Sequence, residues 1–159
     1  MALRNIIEDG HPSLGMVCKP VKKVGDHERE ILDDLTETMR NAEGVGLAAP
    51  QVGILRRMVV IEVDDQLYQL VNPVITESEG DQFEYEGCLS VPGMRGRVHR
   101  PAKVKVSALD RNGEPREYEG EGLLARAFCH ELDHLDGILY NSKCEDYERI
   151  TDPVEEDEE

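Results

Sequence analysis

The chain has 159 residues, 39% of them hydrophobic, with 18 basic against 34 acidic side chains for a formal net charge of −16. That length and composition fit one domain with a true core and exclude wholesale disorder. No run approaches the ~18–20 apolar residues of a membrane helix, the first residues lack the apolar block of a secretory leader, and the acidic balance argues against a nucleic-acid ligand.

The first periodic stretch is 27–41, where Ile31, Leu32, Leu35 and Met39 make one apolar stripe. Asp26 is its expected N-cap, acids fill the first turn, and Gly44 and Gly46 stop the helix near Asn41. Residues 44–51, GVGLAAPQ, are small apart from one amide. Gly46 would let an extended peptide approach the main chain, and Gln51 would offer an N–H to a developing oxyanion. The same composition also describes a plain helix-to-strand loop with a surface Gln.

Residues 57–63 read as a strand, Asp64-Asp65 as a turn, and 67–71 as a second strand ended by Pro73. Residues 82–86 alternate as a short strand with one dry face; Gly87 breaks it and Pro92-Gly93 turns the chain away. Residues 103–109 alternate cleanly, and Asn112-Gly113 returns the chain as a strand at 115–119. From Leu123 to Leu135 a helix is apolar on more than one side, which predicts burial, with Gly137 as its C′ residue. The fold class is α+β, mostly antiparallel sheets around a central buried helix. Residues 1–150 form one domain. Residues 151–159 read as a solvated, mobile acidic end, since six acids fall between Asp152 and Glu159.

The chemistry concentrates on the buried helix, in His130-Glu131-Leu132-Asp133-His134, an H-E-x-x-H. Histidines at i and i+4 share a helix face and can grip one cation, with the Glu placed to move a proton from a water on it. The competing reading is two hydrogen-bonded core histidines and an ion-paired Glu131. A catalytic site needs a third ligand and an open corner. Cys129 lies about 100° round the helix from His130 and reads as a small buried hydrophobe. Cys18 and Cys144 have no turn to aim them, and His11, His27 and His99 read as surface residues. Cys88, at a strand end in EGCLS, can be aimed at a point, with the Leu89 N–H facing the same cavity; a buried strand Cys is the plainer alternative. Four irregularly spaced cysteines fit free thiols in a reducing cytoplasm better than a disulfide framework.

Together, GVGLAAPQ (44–51), EGCLS (86–90) and CHELDHLDG (129–137) resemble the GxGxAAxQ, EGCxS and QHExDHLxG segments of peptide deformylase, in the same order. The likeness covers most of the chain: 6–21 has the spacing of that family's N-terminal arm, Leu123-Leu124-Ala125-Arg126 fits the lead into its metal helix, and the length is that of the compact bacterial type. It implies hydrolysis of the N-formyl group of N-formyl-Met nascent peptides, releasing formate, by a monomer in the cytoplasm with no membrane attachment. It implies Cys88, His130 and His134 as ligands of one divalent metal, Fe²⁺, with Zn²⁺, Ni²⁺ or Co²⁺ as substitutes. Glu131 is then the proton shuttle, and Gln51 and the Leu89 N–H stabilise the oxyanion. Val45, Leu123 and Ala127 would receive the methionine side chain, Gly46 and the strand at 82–86 would hold the peptide as an added strand, and Arg95 would also meet it.

Two positions depart from the pattern. Cys129 replaces a common Gln but faces away from the metal. Where bacterial relatives often carry a basic helix that helps dock on the ribosome, this chain has Asp146-Tyr147-Glu148-Arg149-Ile150 and then acids, which leaves at most a transient ribosome contact. The rival readings are an H-E-x-x-H-x-x-G metalloprotease, whose pattern needs a His where Tyr140 stands, and a non-catalytic metal module closed by Cys18 or Cys144.

Overall fold

The structure, a computed structural model, describes residues 2–150; the acidic end at 151–159 lies outside them. Helix α1 (Asp26–Asn41) precedes strands β1 (Gly46–Ala48), β2 (Met58–Val63), β3 (Gln66–Glu79), β4 (Gln82–Cys88), β5 (Val91–Arg100), β6 (Lys103–Leu109) and β7 (Pro115–Glu121). Helix α2 (Leu123–Leu135) and strand β8 (Glu145–Arg149) follow. A five-stranded sheet runs β1-β2-β3-β6-β7 and a three-stranded sheet β4-β5-β8, and every strand pair is antiparallel. No helix among the described residues is long and apolar enough to cross a membrane.

Strand alternation builds two cores on the larger sheet. Val59, Ile61, Leu70, Val104 and Val106 face Ala125, Phe128, Leu132 and Leu135 of α2. Met58, Val60 and Val71 face Ile31, Leu32, Leu35 and Met39 of α1. The other side of α2 meets the smaller sheet: Arg126 reaches the Glu84 and Val98 carbonyls, and Arg100 of β5 reaches Asp133. The helix therefore lies between the two sheets, and its bounds and those of β6 are the ones the sequence predicts. Gly137 follows α2 with φ +75°, as a C′ residue should.

Several expectations are corrected. Asp26 is the first helical residue rather than the cap; the cap is Gly25, whose N–H donates to Glu28 Oε1 at 2.8 Å. The second strand runs through Pro73 to Glu79, because the register shifts between Val71 and Val74 and the residue lacking an N–H falls where the ladder is already interrupted. There Asn72, at φ +52°, exchanges two side-chain hydrogen bonds with the Val21 backbone. Gly87 bulges β4 rather than ending it. Pro92-Gly93 is not the turn: Leu89-Ser90 connects the paired Cys88 and Val91, and Pro92 to Arg95 span the gap before pairing resumes at Gly96. The residue that β4 buries is Glu86, while Phe83 stacks on His99 with centroids 4.2 Å apart and Tyr85 carries Arg95 over its ring.

Candidate active site

Two short elements deliver the donor atoms. On α2 the rings of His130 and His134 lie 5.0 Å apart, one turn separating them on one face. The bulge at Gly87 turns the end of β4 so that Cys88 Sγ comes within 3.3 Å of His134 Nε2. The ligating atoms of Cys88, His130 and His134 all fall within 4.8 Å of one another, and no other such cluster occurs among the described residues. All four cysteines are free; Cys129 is buried outside the cluster, as its helical angle predicts, and Cys18 and Cys144 are outside it as well.

The His130 imidazole is prepared as a ligand by what lies behind it. His130 Nδ1 meets Glu86 Oε1 at 2.8 Å, so this nitrogen carries the proton and Nε2 keeps its lone pair. Glu86 accepts from Arg100 at 2.8 and 2.9 Å and from Arg126 at 2.9 Å, and Arg100 also binds Asp133 at 2.7 Å. Burial alone would raise the Glu86 pKa, but the bonds from Arg100 and His130 hold it at about 2, so it stays ionised. Burial above all keeps His134 well below the usual histidine range, hence neutral. Glu131 is pushed up to about 7 by burial, and its Oε1 has no hydrogen-bond partner although it is buried. An orphaned carboxylate oxygen beside one thiol and two imidazoles fits a centre that holds a divalent ion and a water.

Gln51 is 1% exposed, which removes the surface reading. Its Oε1 accepts from the Ala48 N–H at 2.9 Å, which turns Nε2 toward Ser90 Oγ at 3.0 Å and Cys88 Sγ at 3.6 Å. A cleft of about 420 Å³ opens above the centre, lined by Val45, Gly46, Leu89, Leu123, Ala127 and Glu131 among others. Arg95 is not in its lining; the guanidinium lies 4.2 Å over the Tyr85 ring and 3.3 Å from Glu148. Among the described residues β1 pairs only with β2, so its outer edge is available to an extended chain.

Gly46 has a second reason to be glycine. A Cβ there would stand 2.5 Å from Glu131 Oε2, so the bare Cα is what lets the carboxylate lie against the strand. Gly46→Ala should displace Glu131 and lower kcat by roughly 10²-fold or more, with metal content unchanged; activity assays beside metal analysis check this.

Sequence reasoning missed Glu86, Arg100, Arg126 and Ser90. Glu86 lies inside the EGCLS segment, and an Arg on an apolar helix, one turn before His130, was a usable signal for Arg126. Nothing local marks Arg100.

Residues 3–149 match the family described as polypeptide deformylase. The chain belongs to that family. It is 56% identical over 143 residues to the peptide deformylase of Acetivibrio thermocellus, covering 90% of this chain and 84% of that protein. The peptide deformylase structure from Legionella pneumophila superposes with a TM-score of 0.87 at 40% identity, over 96% of this chain and 88% of that one. The structure of the Synechococcus elongatus peptide deformylase in complex with actinonin gives 0.87 at 38% identity, over 90% and 81%. The deformylase chain described here is thus a metal-dependent amide hydrolase that acts on formylated peptides. The metalloprotease pattern needs a His at position 140, where this chain has Tyr, and the third donor beside the two histidines is Cys88.

Proposed function

We propose that the chain removes the formyl group from the N-terminal formyl-methionine of new polypeptides, with Cys88 Sγ, His130 Nε2 and His134 Nε2 holding one divalent ion. One soft thiolate with two imidazoles suits Fe²⁺ as the native ion, and Zn²⁺, Ni²⁺ or Co²⁺ as replacements. When bound, the ion supplies Lewis acidity toward the formyl oxygen and lowers the pKa of water. Glu131 takes a proton from the water that attacks the formyl carbon. Gln51 Nε2 and the Leu89 N–H stabilise the negative charge on the former carbonyl oxygen. Glu131 then delivers its proton to the leaving nitrogen, and formate and a free amine depart. Val45, Leu123 and Ala127 receive the methionine side chain, while the β1 edge at Gly46 and strand β4 flank the peptide backbone. Arg95 would meet the peptide only by leaving Tyr85 and Glu148. The enzyme acts as a cytoplasmic monomer; three of the five β8 residues are acidic, which disfavours docking on ribosomal RNA there.

The observation that carries this reading is the meeting of three donor atoms within 4.8 Å beside an unpartnered Glu131 oxygen at the floor of the cleft. The test is formate release from formyl-Met-Ala-Ser, run beside cleavage of an unformylated peptide, on protein purified without oxygen. Formate without internal cuts, with activity tracking iron content and fading in air, is the expected result. Internal cuts without formate would mean a protease, and bound metal with neither product a non-catalytic metal module. Gln51→Ala should lower kcat by roughly 10²–10³-fold, about 3–4 kcal/mol of barrier, with little change in KM, because its N–H acts on charge that exists only in the transition state. Steady-state kinetics decide it.

A further inference from the structure

We propose that Arg126 is a positioning residue for the metal centre: it ties strand β4, which ends in Cys88, to helix α2, which carries both histidines, by fixing the Glu86 carboxylate. The inference rests on the metal-site reading above. Arg126 is 5% exposed and stands one turn before His130, so the two side chains leave the same helix face. Its guanidinium crosses to the smaller sheet. Nη1 donates to Glu86 Oε2 at 2.9 Å, to the Glu84 carbonyl at 3.1 Å and to the Val98 carbonyl at 3.4 Å, and Nη2 donates to Gln82 Oε1 at 2.7 Å.

The two oxygens of Glu86 divide their work. Oε1 accepts from His130 Nδ1 at 2.8 Å and Arg100 Nη2 at 2.9 Å, and Oε2 accepts from Arg100 Nε at 2.8 Å and Arg126 Nη1 at 2.9 Å. Arg100 shares its charge with Asp133, whereas Glu86 is the sole carboxylate bridged by Arg126 among the described residues. Position matters as much as charge. Pairing between β4 and β5 is interrupted between Glu86 and Cys88, so the ladder does not fix the strand just before the thiolate. Arg126 grips β4 immediately ahead of that gap. It thereby sets both the direction from which His130 is held and the place from which Cys88 reaches.

The experiment compares Arg126→Gln and Arg126→Lys with the unaltered protein, each loaded with Zn²⁺ or Co²⁺. Release of Zn²⁺ to a chromogenic chelator, the ¹⁵N–¹H signal of His130 Nδ1 and the thiolate-to-Co²⁺ absorption band are the readouts. Arg126→Gln should release Zn²⁺ roughly 10–100-fold faster, shift or broaden the His130 signal and move the cobalt band. Arg126→Lys, which keeps the charge but not the fork, should fall between. Phe128→Leu serves as a destabilised core control that leaves these readouts unmoved. Unaltered release and an unaltered His130 signal in Arg126→Gln would overturn the proposal; if that variant does not fold, the same result in Arg126→Lys would overturn it. Failure of the unaltered protein to bind Zn²⁺ or Co²⁺ stoichiometrically would instead remove the metal site, and this proposal with it.

Discussion

Glu131→Ala should lose about 10⁴-fold in deformylation rate while keeping its full complement of metal. The ligating atoms belong to Cys88, His130 and His134, so removing the carboxylate leaves the ion's donors in place. What disappears is the group that, in the proposed mechanism, moves the proton twice, from water and to the leaving amine. The site equips it for both directions, since burial brings its pKa to about 7, near the working pH. Glu131→Gln should fall as far, although it keeps the shape that packs on Gly46, and this separates proton transfer from packing. Formate release measured beside metal content per protein gives the answer. A variant of near-normal rate would take Glu131 out of the mechanism.

Glu86→Ala should cost about 3–5 kcal/mol of stability, because two guanidiniums that are 4% and 6% exposed would lose their shared carboxylate in the interior. For a chain of this size that corresponds to a fall in Tm on the order of 10 °C. The same substitution deprives His130 Nδ1 of its acceptor, so metal affinity should drop roughly 10–100-fold. Thermal melts of metal-loaded and chelator-treated protein separate the two effects: the stability loss persists without metal, and the affinity loss shows only in competition with a chelator. Equal melting temperatures for the variant and its parent would show that the buried charges find other partners.

The parts of the fold that rest on local periodicity were readable from the residues. Helix α2 has a continuous apolar stripe through Ala125, Phe128, Leu132 and Leu135 and β6 a clean alternation, and both have the predicted ends. The reading failed where a long-range contact overrides the local signal. Pro73 stops an isolated strand, but here it sits at a register shift that Asn72 secures against Val21. Pro92-Gly93 reads as a turn until β8 arrives to pair with β5. The candidate ligands His130 and His134, with Glu131, were legible because their spacing on one helix encodes their geometry; Cys88 was singled out by a turn at Pro92-Gly93 that the fold does not make, and the bulge at Gly87 is what aims it. Glu86 sat off the dry face of its strand, and the three groups that satisfy it in the interior, Arg100, Arg126 and His130, come from other elements. A buried charge is recognisable only with its partners, and those are remote in sequence.

The proposed ligand donors come from both ends of a long excursion, Cys88 before β5, β6 and β7, and His130 after them. An ion joining those ends would act as a cross-link over the whole stretch. It removes from the unfolded chain the freedom that loop closure would otherwise cost, as a disulfide does. Part of the binding free energy is therefore folding free energy. Protein without its ion would then be easier to unfold and digest as well as idle, so supply of the metal would govern how much of it survives.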